Sequence, residues 1–466
     1  MADNTKQLIK TRKLSVQEGA AASVMVGITD TQITPYALEL KASNLEAGML
    51  TSLANLFGPM AQLLGSRLIE RFNRRQIIVW AVVGQTISCF AFSILGYIFL
   101  SHDKQLYLVA LFILNYTLYN LTSALASPAW FSMMGDIVPE NIRGRYFAWR
   151  NRTNGAASVG AMILSASILY WLAQYEIIYG FIIIFGLAGI ARSISTYLLS
   201  KHYCEDIKLE KDYYFPFWKF IKEIPRYNFN RFALYVSFFR LGVNIAGPFF
   251  AVYMWKQLAY NPIWFTAVNI SAGIFSLLAL PAWGYFADRY GNRELIRVSS
   301  IILIFVPLFW MFSANPIYLI LVPQLISGSG WAAFNLASSN FIYDSVEPSR
   351  RGLMVAYFNL LSGFGIFLGA TLGGVLSQYI KIGLMNVFFV IFVVSSLATL
   401  AVTITMLRTI KEVRVYEHEA QKNPLMYLKE IRPLYSNLEF GAYPVKKFHQ
   451  LKSNLKSYRR QRITYY

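Results

Sequence analysis

The chain has 466 residues, of which 56% are apolar and only 14% charged, with a formal net charge of +19. Ordinary soluble domains carry roughly 25% charged residues, so this composition excludes a disordered chain and argues against a water-soluble enzyme. The stretches Gln76 to His102, Gln105 to Gly135, Gln257 to Ala287, Val298 to Tyr343, Gly352 to Ile380 and Ile382 to Leu407 contain no Asp, Glu, Lys or Arg. A helix of about 20 apolar residues crosses a bilayer, and the sequence therefore reads as an all-α, polytopic integral membrane protein.

The chain opens with MADNTKQLIKTRKLS, which is polar and basic and lacks the apolar core and small-residue cleavage site of a removed signal peptide. Apolar runs then predict spans near 17–40, 46–66, 76–100, 106–134, 153–174 and 177–199. A second set follows near 231–255, 262–287, 295–313, 316–342, 352–379 and 383–407. The run from Val298 to Tyr343 is too long for one crossing, and Ala314-Asn315-Pro316 supplies its turn. This division gives a cytoplasmic segment at 1–16, six-helix bundles at 17–199 and 231–408, a linker at 200–230 and a basic tail at 409–466.

Orientation follows from the basic residues, since cytoplasmic loops retain an excess of Lys and Arg. These crowd the N-terminus, the loops after even-numbered spans and the tail, while the opposite side has only Lys41, Lys104, Lys256 and Lys381. Both termini are expected in the cytoplasm, with the protein in the plasma (cell inner) membrane. The positive charge is accounted for by this bias, and no nucleic-acid partner is expected. Trp80, Trp149, Trp171, Trp255, Trp264 and Trp310 fall near span ends, where indole rings anchor at the interface.

The two halves repeat one another. SRLIERFNRR from Ser66 and GYFADRYGNR from Gly284 align at an offset of 284 minus 66, or 218. DIVPENIRGRYFAWRN from Asp136 and DSVEPSRRGLMVAYFN from Asp344 align at 344 minus 136, or 208. Matches at corresponding loops imply a duplicated six-span unit, and hence twelve transmembrane helices in two pseudo-symmetric six-helix bundles.

These loops resemble the signature of the major facilitator superfamily, G-x-x-x-D-[RK]-x-G-[RK]-[RK], with the better copy after the eighth span. The first copy departs from it at Ser66, Glu70 and Asn73, and neither the sugar-porter loop nor the Gly-Pro-rich fifth span of drug antiporters is present. The resemblance covers residues 15–408 and implies a secondary transporter that rocks around a central cavity. It also implies a cytoplasmic latch, in which Glu70 with Arg71 and Arg75 faces Arg350 and Arg351. The second latch would set Asp288 with Arg289 and Arg293 against Arg143 and Arg145. An acid at a helix N-terminus beside arginine is electrostatically favoured; the bland alternative is that these arginines only fix topology.

Asp30 lies mid-span in the patch Thr29-Asp30-Thr31-Gln32, just before Thr34-Pro35. An acid at that depth costs about 2.5–3.5 kcal/mol on insertion scales, which makes it a functional candidate. Arg240 in the seventh span is its counterpart: aligning Pro35 with Pro248 (248 minus 35, or 213) sets it opposite Gly27. Asp30 and Arg240 are candidates for proton coupling or substrate contact; alternatively they form a permanent buried pair, or Arg240 snorkels. Glu18 reads as an interfacial charge. Gln32, Thr34, Asn115, Tyr119, Asn120, Asn244, Asn269 and Gln324 are candidates to line a polar cavity, although Asn and Thr also join helices. Few fixed charges among them suggest a neutral, zwitterionic or amphipathic solute.

Gly365, Gly369 and Gly373 recur every fourth residue and suit close helix contact. Tyr213 to Arg226 mixes aromatic and basic residues like a helix lying on the membrane surface, and the tail, with Lys446, Lys447, Arg459, Arg460 and Arg462, suits anionic lipid. All four histidines fall in loops or tails, and the cysteines, Cys89 and Cys204, offer no metal spacing. With no Walker loop, G-x-S-x-G or metal-binding His pair, neither enzymatic activity nor a cofactor nor a metal is expected. The sequence thus predicts a monomeric secondary transporter of a small solute, proton-coupled, with a slight lean to efflux. The rivals are a non-transporting sensor or assembly factor of the same fold and a lipid flippase.

Overall fold

A computed structural model describes residues 2–69, 71–101, 107–203, 217–346, 351–379 and 386–413, apart from the side chains of 2–6, 66, 140–145, 148, 351 and 352. The described residues form helices and no strand. In the first half these are α1 (Ala2–Glu39), α2 (Asn44–Leu68), α3 (Arg74–Ser101), α4 (Tyr107–Ile137), α5 (Glu140–Leu172) and α6 (Ile177–Ser200). A short helix, α7 (Phe217–Lys222), leads to the second half. That half contains α8 (Asn228–Gln257), α9 (Pro262–Tyr290), α10 (Asn292–Phe309), α11 (Pro316–Ser345), α12 (Arg351–Tyr379) and α13 (Val387–Met406).

Among the described residues, 9 helices are long and apolar enough to cross a membrane. The rods α1, α2 and α10 are more polar; α10, for example, opens with Arg293, Glu294 and Arg297. Helices suit the bilayer because every backbone N–H and C=O finds its partner within the segment.

Local sequence sets the helix ends. At the α1–α2 turn Lys41 adopts φ 71°, and Ser43 then caps α2 reciprocally: its Oγ accepts from the Glu46 N–H at 3.2 Å while the Glu46 carboxylate accepts from the Ser43 N–H at 2.7 Å. Asn261, Asn315 and Asn386 cap α9, α11 and α13. Asn315 with Pro316 makes the break expected in the long apolar run. In α8 the rod is interrupted between Asn244 and Phe249, where Pro248 has no N–H to donate. The Asn244 side chain instead donates to the Arg240 carbonyl at 2.8 Å.

Packing falls into two bundles. In the first, α1 lies against α5 and α6, and α3 against α4 and α6; in the second, α9 and α10 lie against α11, and α8 against α12 and α13. The bundles meet chiefly where α2 lies along α12, with a smaller contact of α5 on α9. Tyr36 fastens the first bundle by stacking on Phe181 at 4.5 Å and donating its hydroxyl to the Phe92 carbonyl at 2.8 Å.

The repeat seen in the sequence reappears as geometry. Arg74 and Asn292 are related by the 218 offset, Asp136 and Asp344 by the 208 offset. Arg74 pairs with Asp136 at 2.6 Å, and Asn292 donates to Asp344 at 2.9 Å, so each bundle ties the start of one helix to the end of another in the same way.

The glycines of α12 permit its contact with α8. A Cβ at Gly365, Gly369 or Gly373 would stand 2.0, 2.2 or 2.1 Å from the carbonyl oxygens of Ser237, Leu241 and Ile245. Gly369→Leu should therefore lower stability by about 1–3 kcal/mol, the usual cost of overpacking. Gly160→Ala, where no atom lies within 4 Å of the added carbon, should leave the melting temperature unchanged or slightly raised. Equal melting temperatures for the two variants in detergent would refute this account of the α8–α12 contact.

Candidate functional site

Asp30 sits on α1 among buried neighbours, Ile28, Thr29, Thr31, Gln32 and Ile33, yet is itself exposed. It lies close enough to Tyr116 and Tyr119 of α4 to interact electrostatically with both. Among the described residues no ion pair joins it to a cation. Of the alternatives the sequence left open, a permanent ion pair between Asp30 and Arg240 is not seen among the described residues.

Arg240 points into a cavity of about 360 Å³ bordered by α2, α4, α8 and α12. Its Nε is buried without a hydrogen-bond partner. Asn120 lines the same cavity while donating to the Tyr116 carbonyl at 2.9 Å. Asn55, Gln62, Asn359 and Ser362 also line it, and Asn359 donates to Gln62 across the two bundles at 3.2 Å.

The other polar candidates divide by what they touch. Gln32 is fully buried and donates to Ser165 at 3.4 Å and Thr266 at 3.1 Å, linking α1, α5 and α9. Asn115 donates to the Ser88 carbonyl and Gln324 to the Val268 carbonyl, each at 2.9 Å, so both join helices. The Tyr119 hydroxyl contacts the Met25 sulfur at 2.8 Å. Asn244 and Asn269 donate to carbonyls of their own helices, and Thr34 is partly buried. At the α1–α2 turn the bundles are also bridged by Trp255 to Glu39 at 2.8 Å and by Lys256 to the Ala42 carbonyl at 2.9 Å.

The latch residues are only partly visible. Glu70 and Arg350 lie outside the described residues, as do the side chains of Arg143, Arg145 and Arg351. Arg71 and Asp288 are exposed, and Arg289 lies over the Tyr290 ring at 5.3 Å. Arg75 donates to the His202 carbonyl at 3.5 Å, and Arg293 donates to the Ile410 carbonyl at 2.8 Å, holding the chain after α13. A latch between bundles is thus carried by the resemblance. The basic tail from 414 onward and most of the linker from 204 to 216 also lie outside the described residues. Within the described linker, Trp218 is exposed and Phe220 buried, as on a helix with one wet face.

Sequence reasoning missed a charge network inside the first bundle. Glu18, expected at the interface, is 4% exposed. It pairs with Arg150 of α5 at 3.3 Å and accepts from Ser195 of α6 at 3.1 Å. Arg192 of α6 donates to Ser195 at 3.0 Å and to Gln85 of α3, and Gln85 donates to the Tyr119 carbonyl at 3.4 Å. Arg150 further donates to the Ser15 carbonyl at 3.2 Å and lies over the Trp130 ring at 4.6 Å. One carboxylate thus serves two guanidinium groups. Charge-free runs drew attention away from these residues; the available signal was Arg192 inside the predicted sixth span.

His202, just beyond α6, is fully buried. Burial, and then the nearby Arg150 guanidinium, push its pKa down to about 4.

The residues 19–215 and 232–464 match the sequence profile of the Major Facilitator Superfamily. The chain belongs to that family. Among curated relatives, the Na(+), Li(+), K(+)/H(+) antiporter of Planococcus maritimus is 28% identical over 145 residues, 31% of this chain and 32% of the relative. Solute carrier family 22 member 18 of Rattus norvegicus is 26% identical over 195 residues, 39% and 44% of the two chains. The multidrug export protein EmrB of Haemophilus influenzae is 25% identical over 119 residues, 25% and 23%. The chain spans less than half the length of each of these curated relatives.

Solved structures agree on the fold. A bacterial homologue of the iron transporter ferroportin in its inward-facing state superposes with a TM-score of 0.67 at 15% identity, covering 87% of this chain and 99% of the other. The nucleoside transporter NupG gives 0.62 at 14% identity, covering 87% and 99%. The protein is therefore a multi-pass membrane protein of a transporter family.

Two outcomes are expected from the network. Glu18→Gln leaves two buried arginines without a carboxylate and should destabilise by about 3–5 kcal/mol, as when one partner of a buried pair is removed; an unchanged melting temperature would refute the pairing. His202 stays neutral in the folded protein well below the usual histidine pKa near 6.5, so the unfolded chain takes up the proton first as pH falls. Stability should accordingly drop between about pH 6.5 and 4, and His202→Asn should flatten that drop in melting curves taken across the same window.

Proposed function

We propose that this protein is a secondary active transporter that moves a small solute by alternating access, with Asp30 carrying the coupling proton. The observation that supports this most is Asp30 itself: an accessible carboxylate at mid-span, beside Tyr116 and Tyr119, with no ion pair to any cation among the described residues. A group with a permanent cationic partner would stay ionised through the cycle. Asp30 has none, so the dielectric change as the cavity opens and closes acts on its proton affinity directly.

The two-bundle architecture supports the motion. Bundles that meet chiefly along α2 on α12 and α5 on α9 can rock about these contacts while a solute sits between them. The family relatives include a protein named as a cation/proton antiporter, and proton exchange is consistent with that company. A cytoplasmic location for both termini and a plasma-membrane setting belong to the same reading, on the basic-residue bias of the loops. The bundles at 17–199 and 231–408, joined by the linker at 200–230, are its moving parts.

The test is flux in proteoliposomes. With a solute found by substrate-dependent proton movement, Asp30→Asn should abolish accumulation driven by a pH gradient by at least tenfold while leaving downhill exchange measurable. Retention of gradient-driven accumulation by Asp30→Asn would remove Asp30 from the coupling scheme. Lipid translocation without solute flux would move the protein to the flippase reading.

A further inference from the structure

The cavity around Arg240 gathers a cation and uncharged polar groups at one place. Among the described residues its lining combines one cation with Asn55, Gln62, Asn120, Asn359 and Ser362, and no Asp or Glu contributes to it. Two polar atoms of these residues are buried without any hydrogen-bond partner: Nε of Arg240 and Oγ of Ser362. Ser362 is only 3% exposed. A guanidinium does not shed its charge as a buried amine or carboxyl can. An unmatched arginine at mid-span is therefore a standing cost, and such groups in membrane proteins are found with partners. Among the described residues of this chain no carboxylate pairs with Arg240. Among the described residues the acceptor is missing, which leaves that place to an occupant of the cavity.

We propose that this cavity binds the anionic group, a carboxylate or phosphate, of the transported solute, with Arg240 as its counter-ion and Ser362 as a hydrogen-bond donor. The inference rests on the transporter reading above and supplies its substrate class. It differs from the neutral, zwitterionic or amphipathic solute that the polar residues alone suggested. Arg240 presents a planar fork of donors that matches two oxygens of an anion, and the volume of about 360 Å³ lies within the range of small-molecule sites. The cavity is also placed to sense the transport cycle. Its walls come from α2 and α4 of one bundle and α8 and α12 of the other, so an occupant touches both moving parts. The Asn359 to Gln62 hydrogen bond already bridges them at this point.

The experiment is thermal unfolding of the purified full chain in neutral detergent, followed by tryptophan fluorescence. Sodium acetate, succinate and glycerol phosphate are titrated at constant ionic strength against chloride, each beside an uncharged amide or alcohol of similar size. Ligand that binds the folded state raises its apparent stability by mass action. At least one anion is expected to raise the melting temperature saturably, by several degrees, and its neutral counterpart to do nothing. Arg240→Gln should abolish the shift, Arg240→Lys should keep part of it, and Ser362→Ala should weaken the anion by severalfold. Without ligand, Arg240→Gln should melt no lower than wild type, because it removes an unmatched charge.

A parallel arm adds phosphatidylglycerol or phosphatidylcholine to the micelles. An Arg240-dependent shift with phosphatidylglycerol alone would identify the anion as a lipid headgroup; a shift with the soluble salts identifies a free solute. Shifts that survive in Arg240→Gln, or a lower melting temperature of that variant without ligand, would overturn the proposal, as would no shift in either arm. Binding is read here without a gradient, so its failure beside intact proton-driven flux would leave the transporter reading in place.

Discussion

The bilayer offers no hydrogen-bond partners, so each polar group in this chain has to find one inside the protein, and the structure is organised around that requirement. The backbone meets it by forming helices throughout the described span. Side chains meet it by joining helices: Asn115 to Ser88, Gln324 to Val268, Gln32 to Ser165 and Thr266. The network of Glu18, Arg150, Ser195, Arg192 and Gln85 applies the same rule to charge, binding α1, α3, α5 and α6 into one unit. A bundle stitched in this way resists deformation, as the rocking proposed above requires.

Against that background the unsatisfied groups stand out. Within the first bundle every charge in the network has an opposite charge or an acceptor nearby. Asp30, beside Tyr116 and Tyr119 of α4, and Arg240, in the cavity between the bundles, each lack a counter-charge among the described residues. The contrast separates two uses of buried charge. Matched charges hold helices in place, and their chemistry is closed. Unmatched charges at a cavity wall are open to a proton or a solute, and their cost in the empty protein is what occupancy relieves.

Much of the fold was legible because it rests on patterns that lie along the chain. Apolar runs mark helices, Asn315-Pro316 marks the turn before α11, and the two loop repeats mark the likeness of the halves that the Arg74–Asp136 and Asn292–Asp344 ties share. The site was less legible because it depends on which face of each helix turns inward. Aligning Pro35 with Pro248 gives a depth for Arg240 but no azimuth, so it left open whether Asp30 and Arg240 pair. Glu18 was misread for the same reason: its position near a span end says nothing of Arg150 and Ser195, which reach it from helices distant in sequence. The spacing of Gly365, Gly369 and Gly373 was informative because one helix face is itself a local pattern.

The charges also bear on the sense of coupling. Uptake of a proton at Asp30 removes a negative charge from the interior, and an anion beside Arg240 adds one. Where the two sites sense each other's charge, each event favours the other, and by linkage the two effects on affinity are equal. A carrier built this way loads proton and anion together and returns empty, which is cotransport. The sequence reading leaned slightly toward efflux. Exchange of a proton for a solute requires instead that the two compete, and competition at Asp30 would need a cation as the solute. The anion reading at Arg240 and the export reading thus pull in opposite directions, and the sign of proton movement accompanying solute entry decides between them.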